Sequence, residues 1–257
     1  MLLDEQLAHS GQTLFRWRSY IPLVLLGITV YLLRDFDYPF GSRAADRYWE
    51  LGCLAISLLG LWIRMATLGR VPPGTSGRNT KKQVADYLNT TGMYSMCRNP
   101  LYLGNFFIVF GTTFLPRVWW YPIFYILLFA LFYERVIMAE ERFLRDKYGQ
   151  PYRDWAAKTP AFWPSLGGRV PAELPFSLRT VIRREFHSLA GIIGVYALLE
   201  GLSEYFRAGA FTVDPMWQWM FYVSVGFYVP LLLLDRFTKV LHEDRKDRVP
   251  PGAGSGN

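Results

Sequence analysis

The residues best able to do chemistry sit in two short stretches. In residues 90–111, TTGMYSMCRNPLYLGNFFIVFG, Arg98 and Asn99 stand directly before Pro100 and an apolar run. Asn is a favoured N-cap and Pro a favoured first helical residue, so a helix is expected to start there. A helix start offers free backbone N–H groups and the positive end of a dipole. With Arg98 one residue before it, the arrangement can hold an anion. Read as plain structure, the same residues are a capped helix whose arginine reaches lipid headgroups. The second stretch holds Glu134, Glu140 and Glu141, after a later apolar run. Glu134 and Glu141 lie seven apart and share a helix face. Adjacent carboxylates there are costly unless they pair or point into a site. The plain alternative is a solvated pair balanced by Arg135, Arg142 and Arg145. His9, His187 and His242 are far apart, and neither HxxxH nor CxxC occurs, so no metal site is expected. Cys53 and Cys97 are not expected to pair.

The elements that must position these residues follow from composition. Of the 257 residues 51% are hydrophobic and 19% charged, against about 25% charged in soluble domains. This excludes a disordered chain, a coiled coil and a disulfide-stapled module. The apolar residues fall into blocks at 21–33, 48–68, 101–115, 119–133 (extending to 138), 186–205 and 217–234. The expectation is an all-α polytopic membrane protein with about six transmembrane helices. The third block is short for a span and is expected to extend backwards or lie tilted. The first block is read as a retained helix rather than a signal peptide, because Asp4 and Glu5 precede it and no small-residue cleavage site follows. Gly52, Ala55, Ser57 and Gly60 offer small residues for close helix contact. Glu200 is expected to reach the membrane interface.

Lys and Arg gather in the loop between the second and third blocks, between the fourth and fifth, and after the sixth. The positive-inside rule then places both termini in the cytoplasm. The net charge of +7 is assigned to these loops and to anionic lipid, not to nucleic acid. Residues 143–164 alternate basic and aromatic types, which suits a helix lying at the interface. Four regions are expected: N-terminal helices over 1–75, a core over 76–168, C-terminal helices over 169–248 and a flexible tail over 249–257.

The pattern Gly92-x-Tyr94-x-x-x-Arg98-Asn99-Pro100-x-Tyr102-x-Gly104, followed by Glu140-Glu141-x-Phe143-Leu144 and Tyr148-Gly149-x-x-Tyr152, resembles the isoprenylcysteine carboxyl methyltransferase and phospholipid methyltransferase superfamily. The resemblance covers roughly residues 92–164. Residues 75–88 resemble bacterial members, including those acting on lipid A phosphate. The resemblance implies an integral membrane enzyme, in a bacterial inner membrane, that uses S-adenosyl-L-methionine in a cytoplasmic-face pocket. It implies that Gly92, Tyr94, Arg98, Asn99, Pro100, Tyr102 and Gly104 form one cofactor wall. Glu140 and Glu141 would close the pocket, with Arg98 and Glu141 as the catalytic pair. The family usually has His where this chain has Asn99, and Asn cannot act as a titrating base.

Methyl transfer from a sulfonium is an in-line displacement that needs a positioned acceptor. A carboxylate or phosphate is already ionised at neutral pH and needs no general base. A motif without histidine, among many basic residues, therefore favours an anionic lipid or lipidated acceptor. Arg78, Lys81, Lys82, Arg183 and Arg184 are candidates to hold its charge. The alternatives are a phospholipid amine N-methyltransferase, a prenylcysteine carboxyl methyltransferase and, from another class, a small transporter or structural membrane protein. A transporter would be expected to carry charges at mid-membrane, whereas here they gather at one surface in the sequence.

Overall fold

The computed structural model describes the backbone of residues 3–72 and 85–242, and side chains from residue 10 onward within those ranges. Arg78, Lys81 and Lys82, and the 249–257 tail, lie outside the described residues. The described residues form helices and irregular connections, with no strand among them. The α-helices are α1 (Leu3–Trp17), α2 (Ile21–Leu32), α3 (Arg43–Leu68), α4 (Met93–Met96), α5 (Pro100–Thr113), α6 (Trp120–Tyr148), α7 (Gln150–Ala156), α8 (Leu178–Ala208) and α9 (Pro215–Phe237). Each of the six apolar blocks is helical. Four described helices, α3, α6, α8 and α9, are long and apolar enough to cross a membrane.

The other two blocks are shorter. The 14 residues of α5 reach only about 21 Å at 1.5 Å per residue. Backward extension is closed off, because Asn99 has φ −125° and ψ 55°. The residue before a proline is pushed out of the helical region in this way. The 12 residues of α2 give way to a 3₁₀ turn at Leu33–Asp35.

α5 lies against α3 along a seam of small residues. A Cβ on Gly60 would overlap the Gly104 carbonyl, and one on Gly111 would overlap the Ser57 hydroxyl and the Cys53 carbonyl. Ser57 donates to the Ile108 carbonyl at 2.7 Å. Two of the four expected small residues thus form the contact. The other two do not: Gly52 has open space around it and Ala55 is exposed.

α6 runs past its apolar block to Tyr148 and carries Glu140 and Glu141 in that extension. Its extension packs on α1, a helix the apolar pattern did not indicate. The basic and aromatic stretch 143–164 does not form one interfacial helix. Its first residues complete α6, and Gly149 at φ 61° breaks the chain. This left-handed conformation comes easily only to glycine. α7 then restarts with Pro151 in its first turn.

α8 and α9 pack together, and α8 also packs on α3. Where the start of α3 meets the end of α8 and the start of α9, Asp46, Glu50, Glu200, Glu204 and Asp214 are buried. Arg47 pairs with Asp214 at 2.7 Å, and Arg207 with Glu204 at 2.7 Å. Arg117 pairs with Asp46, and the Trp217 indole donates to Glu50 at 2.7 Å. Glu200 is buried and bonded there, accepting from the Asp214 N–H at 3.2 Å. Buried charges of this kind persist only when paired.

Candidate functional site

At the other end of α3, α5 and α8 lies a cavity of about 960 Å³. The two separated motifs meet on it. Tyr94, Arg98, Asn99, Pro100 and Tyr102 line it from the α4–α5 side, and Glu140 lines it from α6. The Tyr102 hydroxyl donates to Glu140 Oε1 at 2.6 Å. The Tyr102 and Tyr133 rings lie 4.8 Å apart, centroid to centroid. Arg98 lies 2.9 Å from Glu141 Oε1 through Nη2, an ion pair whose angles fall short of a hydrogen bond. Its Nη1 donates to the Ala156 carbonyl at 2.8 Å, and its backbone N–H donates to Pro160 at 2.9 Å. Arg98 thus ties the start of α5 to α6 and to the end of α7, while its Nε is buried without a partner.

The remaining motif residues have other placements. Asn99 occupies the N-cap position, but its side chain does not cap the helix. Its amide donates instead to the Ala161 carbonyl at 2.9 Å. The first-turn N–H groups of α5 are thereby left without a side-chain cap. Gly104 faces away from the cavity, with the stem of Arg64 and the Gly60 carbonyl filling its Cβ position. Gly92 has φ 62°, and its N–H donates to the Val170 carbonyl at 3.0 Å. It shapes the backbone beside the site. Glu134 is exposed, so sharing a face with Glu141 does not bring it into the cavity. Arg183 and Arg184 line the cavity from α8, and Arg183 pairs with Asp235 at 3.1 Å.

Burial sets the ionisation of the groups around this end. It pushes the Cys97 thiol up to about 11, against the opposing pull of the Asn99 N–H and the Arg98 charge. The thiol donates to the Phe162 carbonyl with sulfur at 2.9 Å. Cys97 is therefore a neutral, packed thiol and no nucleophile. Tyr152 is pushed above the ordinary tyrosine range by burial and then by the Glu141 charge. Cys53 and Cys97 both stay unpaired.

Several polar residues of the cavity wall lie outside both motifs. Arg64 donates to Glu185 at 2.9 Å from Nε and 2.5 Å from Nη2, and to Asn105 Oδ1 at 2.6 Å from Nη1. Arg18, His187 and Ser188 also line the wall, and His187 Nδ1 lies 3.1 Å from the Tyr228 hydroxyl. Arg64 could have been singled out as a charge inside the apolar block 48–68, since intramembrane charges mark sites. His187, inside the block 186–205, offered the same signal, whereas Glu185 stands just outside that block and its place depends on how α8 packs.

Both motifs thus share one cavity in a chain whose described elements are helical and include four long apolar helices. Residues 50–151 match the phospholipid methyltransferase family, so the resemblance read on the motifs holds over this segment. Over 153 residues the chain is 33% identical to the nickel-cobalt-cadmium resistance protein NccN of Alcaligenes xylosoxydans xylosoxydans, covering 58% of this chain and 63% of that one. Over 152 residues it is 32% identical to the cobalt-zinc-cadmium resistance protein CzcN of Cupriavidus metallidurans, covering 58% and 62%. The chain thus spans less than two thirds of the length of these relatives. No solved structure matches it.

Proposed function

We propose that the protein transfers a methyl group from S-adenosyl-L-methionine to an anionic lipid or lipidated acceptor, by O-methylation of a phosphate or carboxylate. The carrying observation is the convergence of both motifs on one large cavity, with Tyr102 bonded to Glu140. The donor set fits the cofactor. Arg98 keeps an unpartnered buried Nε, and α5 begins with uncapped N–H groups beside it, which suits a carboxylate. Glu140 suits an ammonium, and the neighbouring Tyr102 and Tyr133 rings, inclined at 58° to each other, suit a sulfonium. Tyr94, Arg98, Asn99, Pro100, Tyr102, Glu140 and Glu141 are the residues we assign to holding it, with Gly92 and Gly104 shaping the backbone around them. When bound, the cofactor supplies an electrophilic methyl. Arg98 and Glu141 lock α5 against α6, and Tyr102 fixes the Glu140 carboxylate.

The acceptor reading rests on charge. Arg18, Arg64, Arg98, Arg183 and Arg184 line the cavity against Glu140, Glu185 and Asp235. The absence of histidine from the motif no longer supports this reading, because α8 brings His187 to the same wall. The excess of arginine supports it instead. Six membrane segments with both termini cytoplasmic would put the cavity at the cytoplasmic face of a bacterial inner membrane. Trp119 is exposed between α5 and α6. Labelling of Trp119→Cys by an impermeant maleimide from the cytoplasmic side alone would overturn that orientation.

The direct test is S-adenosylhomocysteine binding by the purified protein in detergent with added lipid. Saturable binding is expected, and its absence from a folded sample would reject the enzyme reading. Lipids of cells with and without the gene should differ by about 14 Da in one class, the mass of an added CH₂.

A second reading comes from the relatives' names, a part in resistance to nickel, cobalt, zinc or cadmium. Growth in those metals, with the gene deleted and then restored as wild type or Glu141→Ala, separates the two. Equal rescue by both would make methyl transfer irrelevant to that phenotype.

A further inference from the structure

Arg64 is out of place by composition. It lies four residues from the end of α3, a helix apolar enough to cross a membrane, where an unpaired charge is expensive. The structure answers the charge with a two-pronged ion pair to Glu185 and a third bond to Asn105. Arg64 is 11% exposed and Glu185 only 2%, yet both belong to the cavity wall. A guanidinium has five N–H donors, and these bonds commit three.

Position along α5 gives the pair its meaning. Leu101, Tyr102, Asn105, Ile108, Val109 and Thr112 lie along the α5 wall of the cavity. Asn105 is the last polar group before the apolar stretch of Ile108 and Val109, beyond which the Thr112 hydroxyl donates back to the Val109 carbonyl at 2.7 Å. Arg64 and Glu185 meet it at this boundary. On one side lie Tyr102, Glu140 and Arg98, and on the other Ile108, Val109 and, from α8, Ile192 and Val195. An amphipathic acceptor in the cavity would bring its head to the boundary and its chain along the apolar part. Glu185 also lies outside the 50–151 segment that matches the family, so α8 adds this charge to the core.

We propose that Arg64, with Asn105, is the subsite that receives the acceptor's anionic head, and that Glu185 is the resident counter-ion that positions the guanidinium and weakens its hold on that head. This rests on the proposed function for the identity of the acceptor, but the anion subsite can be read without turnover. A resident carboxylate beside the guanidinium repels an incoming anion and shares its donors. The two halves of the ion pair should therefore act with opposite sign on anion binding. A purely structural pair would act with the same sign from both halves.

The test uses the full chain in dodecyl maltoside with dodecyl phosphate as probe, followed by calorimetric titration. Dodecyltrimethylammonium serves as the oppositely charged control, and inorganic phosphate as the head without a chain. Glu185→Gln is expected to bind dodecyl phosphate about tenfold more tightly than wild type. Arg64→Gln alone would strand a buried carboxylate and could unfold the protein. The neutral double variant, Arg64→Gln with Glu185→Gln, avoids this and is expected to bind the probe about tenfold more weakly than wild type. Inorganic phosphate should bind more weakly than the alkyl phosphate throughout, and the ammonium probe should not follow the pattern. S-adenosylhomocysteine affinity should stay within about threefold in both variants, since neither change touches Arg98, Tyr102 or Glu140. Weaker probe binding in Glu185→Gln, or wild-type probe binding in the double variant, would overturn the subsite. If the probe pattern holds while wild type fails to bind S-adenosylhomocysteine, the methyltransferase reading falls and the anion subsite stands.

Discussion

Tyr102→Phe is the most informative single change at the cofactor end. It keeps the ring that lies 4.8 Å from Tyr133 and removes only the hydroxyl that reaches Glu140 at 2.6 Å. A hydrogen bond to an ionised carboxylate contributes about 1.5–3 kcal/mol. Glu140 borders an open cavity, where water can partly replace the lost donor, so the lower part of that range, about 1.5–2 kcal/mol, applies. If Glu140 holds the cofactor in the orientation that Tyr102 imposes, S-adenosylhomocysteine affinity should fall about tenfold to thirtyfold. Isothermal titration calorimetry on Tyr102→Phe, Glu140→Gln and the double variant completes a cycle. The losses should be non-additive by at least about 1 kcal/mol, because either change breaks the same bond. Wild-type affinity in Tyr102→Phe, or losses that add to within about 0.3 kcal/mol, would refute the assignment of this pair to the cofactor.

Other consequences can be measured on the same preparation. Arg98→Ala and Glu141→Ala should each abolish or greatly reduce methyl transfer, with a loss of about 2–4 kcal/mol in cofactor binding, somewhat below a fully buried pair; wild-type affinity in both would move the pocket elsewhere. Arg98→Ala should also lower the unfolding midpoint more than Glu141→Ala, because it alone releases the Ala156 carbonyl. Gly104→Ala should destabilise by about 1–3 kcal/mol in denaturant unfolding, since its methyl would overlap the Gly60 carbonyl and the Arg64 stem, whereas Gly52→Ala, in open space, should be neutral or slightly stabilising. The Cys97 thiol is raised from 9.0 to about 11, so its contribution to stability is complete below about pH 9 and is lost as pH rises towards 11; maleimide labelling of the native protein at pH 8 should be slow and should become fast on unfolding. An anionic acceptor predicts a single-turnover rate nearly flat from about pH 6.5 to 8.5, and a climb of nearly tenfold per unit would instead favour a phospholipid amine.

Local chemistry made much of the chain legible. The helix start at Asn99–Pro100 follows from the missing N–H and fixed φ of proline and the restriction it places on its neighbour. The apolar runs are helical because a chain in lipid must satisfy its backbone bonds within each segment. The two motifs could be read as one site because their residue types carry the same chemistry wherever the fold brings them.

What the tertiary structure alone decided depends on which face each helix turns to its neighbours. Asn99 holds the N-cap position by sequence, but its amide is drawn off to Ala161, 62 residues later. Gly104 reads as a cofactor-wall residue in the motif, yet helix packing turns it onto α3. Glu140 and Glu141 are adjacent, and the 100° step between them in a helix sends one to the cavity and the other to Arg98. The Arg64–Glu185 pair joins residues 121 apart, and His187 reaches the cavity only because α8 lies against α3. Composition and spacing determine that such helices exist. They cannot determine the rotation and partner of each helix, because those are fixed by packing among all of the helices together, through small residues at contacts such as Gly60–Gly104 and buried charges that must find a counter-ion.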